Sequence, residues 1–213
     1  IAQDAIPLDS LSAVLVTLVD QAGTTDDEGV QAKILQTVLS LLASKTYPVR
    51  RDDLSRAFSI CLVLHGGSAA SALITNTATA TMRQAVSLLF DRVGESADAA
   101  DPSATASGPA IEDTDSALSC AYLLVRDLCY LAGGQATRWL EVKTLDLVFV
   151  LELLELLLSS RAAVFVDHGA MMSVLRGDVC QLVSRLLGNG PPFELLHRTM
   201  RVAWSIVEHF TEM

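Results

Sequence analysis

Apolar residues recur at helical spacing along almost the whole chain. Between about residues 28 and 44, Leu35, Val38, Leu39 and Leu42 follow the i, i+3, i+4, i+7 rule for one buried face. From Asp52 to His65 the face reads Leu54, Ala57, Phe58, Cys61 and Leu62, and Gly66-Gly67 supplies a stop. The helix expected from about Ser71 to Val93 buries Ile74, Ala78, Met82, Ala85 and Leu89, and Gly94 ends it. A further helix, capped by Asp113, Thr114 or Asp115, turns Leu118, Ala121, Tyr122, Val125, Leu128 and Cys129 inward and stops at Gly133-Gly134. The stretch from about Thr144 to Ser160 is apolar on nearly every side except at Glu152 and Glu155, so neighbours are expected all around it. Another helix, from about Ala170 to Leu187, faces Met172, Leu175, Val179, Leu182, Val183 and Leu186 inward. After the turn Gly188-Asn189-Gly190-Pro191-Pro192, the last helix carries Leu196, Ala203, Ile206, Val207 and Phe210 on its inner face.

The pattern predicts an all-α protein of about eight antiparallel helices, each of roughly 12–22 residues, stacked as an armadillo- or HEAT-like α-solenoid. No sharp sequence repeat is visible, so any repeat is degenerate. Residues 94–114 interrupt the pattern with Ala, Asp, Ser, Thr and Pro in no apolar period. Pro102, Gly108 and Pro109 oppose helix there, and too little surface can be buried to offset chain ordering. This is expected to be a flexible surface loop inside a single domain spanning residues 1–213, because helices of the same kind resume beyond it.

Composition sharpens the class. The 213 residues are 51% hydrophobic but only 5% aromatic, a mix that suits close-packed helices better than a β-sandwich. A net charge of −10 repels phosphate backbones and anionic membrane surfaces, which argues against nucleic acid as a partner. The longest apolar run, Leu145 to Leu158, carries Asp146, Glu152 and Glu155 and falls short of the roughly 20 apolar residues that span a bilayer. Cys61, Cys120, Cys129 and Cys180 each sit in an apolar helical pattern without a Cys-x-x-Cys pair, so reduced, buried thiols in a cytoplasmic setting are expected. The chain opens at Ile1 within what already reads as structure, and a fragment of a larger protein is expected.

Chemistry is thinly signalled. His65, His168, His197 and His209 form no His-x-x-x-His pair, so no metal site is expected. Gly66-Gly67-Ser68 follows no strand and is no nucleophile elbow. Gly188-Asn189-Gly190 runs into two prolines and reads as a turn, not a nucleotide loop. Glu152 and Glu155 lie one turn apart, as an acid/base pair would, but a solvated stripe is the plainer reading. No catalytic residue, cofactor or enzymatic activity is assigned. The stretch Asn76-Thr77-Ala78-Thr79-Ala80-Thr81-Met82-Arg83-Gln84 stands apart. Its small residues permit close helix approach, threonines are poor choices for a plain exposed helix, and Arg83 can fork onto a carboxylate or carbonyls. Asn76, Thr77, Thr81, Arg83, Gln84 and, further on, Arg92 are therefore candidates either for a structural tie or for a partner surface.

These residues carry a family resemblance. Lys33-Ile34-Leu35-Gln36-Thr37 with Leu41-Leu42, the Asn76-to-Gln84 stretch and Phe90-Asp91-Arg92-Val93 resemble the amino-terminal region of the monensin-sensitivity family, relatives of the large Arf guanine-nucleotide exchange factors. Ala121-Tyr122-Leu123-Leu124, Asp127-Leu128-Cys129, Leu151-Glu152-Leu153-Leu154-Glu155 and Arg198-Thr199-Met200-Arg201-Val202 are similar to family segments in the second half. The exchange factors share a Thr-Ala-x-Ala-Thr signature, while Arg83-Gln84 and Asp127-Leu128-Cys129 favour the monensin-sensitivity branch. The resemblance implies a dimerisation and cyclophilin-binding (DCB) domain with an armadillo-like fold. Its owners are peripheral proteins of Golgi, trans-Golgi network and endosomal membranes that act in vesicle-mediated trafficking, and this branch lacks a catalytic exchange domain. The implied role is a non-catalytic scaffold that self-associates and binds an Arf-like GTPase or trafficking scaffold partners, with membrane association belonging to the full-length protein. Two alternatives stay open: the DCB domain of a true large Arf exchange factor, or an unrelated armadillo-type adaptor. The adaptor would carry a ladder of exposed Asn and Trp, which this sequence lacks.

Overall fold

A computed structural model describes residues 8–44, 50–67, 71–97 and 115–210. Those residues are overwhelmingly helical and include no strand, as the all-α solenoid class requires. The chain divides into two compact units: residues 1–88 with Leu140–Val142, and residues 89–139 with 143–213.

The first unit contains α1 (Leu8–Thr24), α2 (Glu28–Ala43), α3 (Arg51–Gly66) and the first part of α4 (Ala72–Ala97). The sequence pattern left α1 undelimited. Helix α2 starts where the Asp27 carboxylate accepts the Val30 N–H at 3.1 Å, and it buries Leu35, Val38 and Leu42 as the spacing predicts, with Ile34 buried beside them and Leu39 only half-buried. Helix α3 lies against both α1 and α2, and accordingly it is buried on most of its circumference. Arg56 of α3 donates to the Ser12 hydroxyl of α1 at 3.4 Å, and His65 Nδ1 lies 3.0 Å from the Thr79 hydroxyl of α4. Gly67 closes α3 with ordinary negative φ.

The second unit is organised around α6 (Leu147–Ser160), which packs on α5 (Ala117–Ala132), α7 (Ala162–Asp167) and α10 (Phe193–Phe210). Neighbours on so many sides explain why Phe149, Val150, Leu151, Leu153, Leu154, Leu157 and Leu158 are all buried. The Asp146 carboxylate caps α6 by accepting from Val148 and Phe149. The single helix expected near 170–187 is three pieces: α8 (Gly169–Val174), a π-helical turn at Leu175–Val179 and α9 (Cys180–Gly188). A π turn adds one residue to the local repeat without breaking the backbone ladder, so apolar spacing alone cannot register it.

Other boundaries shift for physical reasons. Helix α4 runs through Gly94 to Ala97, since a helical glycine costs only about 1 kcal/mol against alanine and nothing there demands left-handed backbone. The loop expected from residue 94 therefore begins no earlier than residue 98, and its remainder lies outside the described residues. Ser116, not Asp115, caps α5 by accepting the Ser119 N–H at 3.1 Å, while Asp113 and Thr114 lie outside the described residues. Gly134, at φ +67°, ends α5 as expected, and Gly190, at φ +60°, makes the turn before α10. Leu35 is completely buried in the first unit, so Leu35→Ala should cost about 2–5 kcal/mol, read from the denaturant midpoint of the fragment.

Candidate functional site

The candidate residues on α4 separate by face and by unit. Ile74, Ala78, Met82, Ala85 and Val86 form the buried side of the helix. Asn76, Ala80, Arg83 and Gln84 are exposed on the other, in line with Leu73, which is 64% exposed. Thr77 stands half-buried at the margin and returns its hydroxyl to the Leu73 carbonyl at 2.7 Å. Thr81 is buried, so it faces the interior and not the Asn76–Arg83–Gln84 side. Arg92 is half-buried on the part of α4 that belongs to the second unit. Burial pushes its guanidinium below the usual arginine value, and Glu95 opposes that shift. The structure thus gathers Asn76, Arg83 and Gln84 on one surface, with Thr77 at its edge and Thr81 beneath.

Several of the family-like segments from Phe90 onward are ties within the second unit. Phe90 stacks on Phe165 with ring centroids 6.1 Å apart, and the neighbouring Asp91 pairs with Arg161 of the α6–α7 junction at 2.6 Å. The fully buried Asp127 carboxylate accepts the backbone N–H groups of Arg138, at 3.2 Å, and Trp139, at 2.7 Å. It thereby fixes the extended strap that leads from α5 towards α6. Arg126, also buried, places its guanidinium carbon 5.3 Å from the Tyr122 ring centroid and 5.8 Å from that of Tyr130. Asp178 of the π turn adds a favourable charge interaction with Arg126, which offsets part of the upward shift that burial gives this carboxyl.

Glu152 and Glu155 are not a solvated stripe. They are only 18% and 17% exposed, and they meet two arginines of α10. Arg198 Nη2 reaches Glu152 at 2.6 Å, and Arg201 Nε donates to Glu155 at 2.7 Å. That hydrogen bond pushes the Arg201 guanidinium up. The two segments therefore form one ladder, carboxylates three apart on α6 against guanidiniums three apart on α10. The sequence reading missed this ladder, whose one trace in the sequence is the matching i, i+3 spacing of opposite charges on the two helices.

Burial pushes the Cys61 thiol up to about 12 from its ordinary 9.0 and raises Cys129 and Cys180 as well, which suppresses thiolate. Among the described residues, no three His, Cys, Asp or Glu side chains gather as a metal site. A cavity of about 150 Å³ lined by Gly133, Leu182, Arg185 and Asn189, among others, lies below the roughly 300–1,000 Å³ of ordinary ligand sites. Arg185 occupies its wall so closely that a Cβ on Gly133 would come within 2.9 Å of the guanidinium. What the molecule offers instead is a helical array with one polar, small-residue face on α4.

The helices of the described residues place the chain in the all-α class. The profile described as Mon2/Sec7/BIG1-like, dimerisation and cyclophilin-binding domain matches residues 1–97, and the Mon2/Sec7/BIG1-like HUS domain matches residues 117–213. The chain belongs to this Mon2/Sec7/BIG1-like family. It is 36% identical over 165 residues to Protein MON2 homolog of Drosophila melanogaster, a match that covers 73% of this chain and 10% of the relative. The human Protein MON2 homolog gives 36% over 165 residues, covering 73% of this chain and 9% of the relative. Monensin-resistant homolog 2 of Caenorhabditis elegans gives 31% over 180 residues, 78% of this chain and 10% of the relative. The chain thus spans about a tenth of the length of these relatives. No solved structure matches it.

Two measurements check this description. Glu152 and Arg198 should show a coupling of about 0.5–1.5 kcal/mol in a double-mutant cycle with Glu152→Gln and Arg198→Met, weakening as salt is added. The buried thiols set a pH limit. Below pH 9 both folded and unfolded chains keep the proton, so stability is complete. As pH rises from 9 towards 12 only the unfolded chain ionises at Cys61, and stability should fall by about 1.4 kcal/mol per pH unit for that thiol. Alkaline denaturant titrations of the native chain and of Cys61→Ala should diverge accordingly.

Proposed function

We propose that this region is a non-catalytic scaffold of a membrane-trafficking protein, acting peripherally at Golgi and endosomal membranes through protein partners. The observation that carries the reading is the outward face of α4. Its other side buries Ile74, Ala78, Met82, Ala85 and Val86, yet Leu73, Asn76, Ala80, Arg83 and Gln84 are exposed. Small residues let a second helix approach closely, while Asn76, Arg83 and Gln84 supply hydrogen bonds around such a contact. An Arf-like GTPase, a trafficking scaffold or a second copy of the chain are the partners this reading assigns, in keeping with the dimerisation domain matched over residues 1–97. None of the described helices is long and apolar enough to cross a membrane, so the proposal assigns membrane recruitment to those partners.

The test pairs binding with nucleotide release. Arg83→Ala should leave the denaturant midpoint of the fragment within about 0.5 kcal/mol and weaken capture of Arf-like GTPases or a tagged second copy. The fragment should not accelerate release of a fluorescent nucleotide from Arf and Arf-like GTPases. Accelerated release, or unaltered binding by the Arg83 variant, would overturn the corresponding half of the proposal.

A further inference from the structure

Helix α10 is turned with its apolar side outward. On the side packed against its neighbours, chiefly α6, it places the buried Thr199, Val202 and Ser205. Thr199 and Ser205 return their hydroxyls to the carbonyls of Leu195, at 2.7 Å, and Arg201, at 3.1 Å, so neither strands a polar group there. Phe193, Leu196, Met200, Trp204 and Val207 follow one another at spacings of three and four residues on the opposite side, with Trp204 66% exposed. Leu196 and Val207 were expected inside, and they are not. Burial of apolar area alone would choose the other rotation, since these large side chains outweigh one valine and two hydroxyls.

A feature of α6 must therefore refuse the stripe, and the side chains placed to do so are the largely buried Glu152 and Glu155. In the present rotation their charges are matched by Arg198, at 2.6 Å, and Arg201, at 2.7 Å. Turning α10 over would carry both guanidiniums away and press the stripe onto two carboxylates with little access to water. An ionised carboxylate left unpaired in apolar surroundings costs far more than a neutral amide of the same shape. The edge-on contact of Phe210 with Phe165, at 6.0 Å, ties down only the last residue of the helix. We infer that Glu152 and Glu155 set the rotation of α10: while they are charged the apolar stripe stays outward, and neutralising the pair turns the helix over and lays Leu196, Met200 and Trp204 on α6. The two carboxylates thereby decide which face α10 presents. This is independent of the α4 surface, since it concerns contacts within the second unit.

The test is hydroxyl-radical footprinting of the 213-residue chain, read residue by residue by mass spectrometry, with circular dichroism and oligomeric mass measured in parallel. In Glu152→Gln/Glu155→Gln, Met200 and Trp204 should label about tenfold more slowly than in the native chain, and Val202 should label faster, with helical content and oligomeric mass unchanged. Exchanging the charges, with Glu152→Arg/Glu155→Arg and Arg198→Glu/Arg201→Glu together, should return all three residues to native rates, because the pairing is restored with its sign reversed. Native labelling of Met200 and Trp204 in the neutral variant would overturn the inference, since packing would then set the rotation. So would protection that comes with a rise in oligomeric mass, a loss of helical content in the neutral variant, or a charge-exchanged variant that stays protected.

Discussion

A carboxylate with no exposed surface must find donors, and Asp127 finds them in the backbone that follows its own helix. Accepting from Arg138 and Trp139 fixes the chain as it leaves the left-handed turn at Gly134. A charged acceptor served by two amides contributes more than neutral hydrogen bonds do, and losing it would strand both amides in the interior. The strap so held delivers Trp139 to the second unit's core and lets the chain reach Asp146, where α6 is capped. The α6–α10 ladder and the packing of α5 on α6 depend on that placement, because α6 is the helix on which α5, α7 and α10 all pack. Arg126, one residue earlier, puts a buried cation among two tyrosine rings beside the same turn of α5, so charge at this point is balanced locally.

The helical pattern was legible because most helices here are amphipathic on one side only. Leu35, Val38 and Leu42, or Ile74, Ala78 and Met82, fall inside as their spacing requires. Legibility failed where two faces of a helix are both apolar. In α10 periodicity identifies stripes but cannot say which one turns inward, and inter-helix charge pairs decide it. It failed again where a residue type permits two outcomes: Gly94 punctuates a sequence, yet α4 runs on to Ala97 because a helical glycine costs only about 1 kcal/mol and its φ is not positive. The strap was missed because Trp139, Leu140 and Val142 are buried without any helical period, where the Trp139 and Glu141 N–H groups donate to Asp127 and Ser59, 12 and 82 residues away. Of the candidate surface, the small-residue stretch was readable, but the separation of Asn76, Arg83 and Gln84 from Thr81 needed the rotation of α4 in its packed setting.

The segments that mark the family therefore divide into two kinds. Phe90-Asp91, Asp127, Glu152 with Glu155, and Arg198 with Arg201 join one element to another inside the second unit. They hold helices at fixed rotations. The Asn76–Gln84 stretch is different in kind, since Asn76, Arg83 and Gln84 are exposed while Thr81 and the apolar side of the same helix are buried.

The strap also bears on how such a protein can be cut. Leu140–Val142 belongs to the first compact unit, although it lies far beyond the residues matched by the first family profile. There the Glu141 N–H donates to the buried Ser59 hydroxyl of α3 at 3.0 Å, while Leu140 and Val142 are buried on either side of it. A truncation at the profile boundary, after residue 97, would deprive α3 of that donor and expose whatever those two side chains cover. The complementary piece would carry two orphaned apolar residues on a strap with nowhere to lie. Fragments drawn at sequence-profile borders would then misfold or aggregate for a reason unrelated to the biology they were meant to dissect, and the natural unit of expression is the uninterrupted stretch.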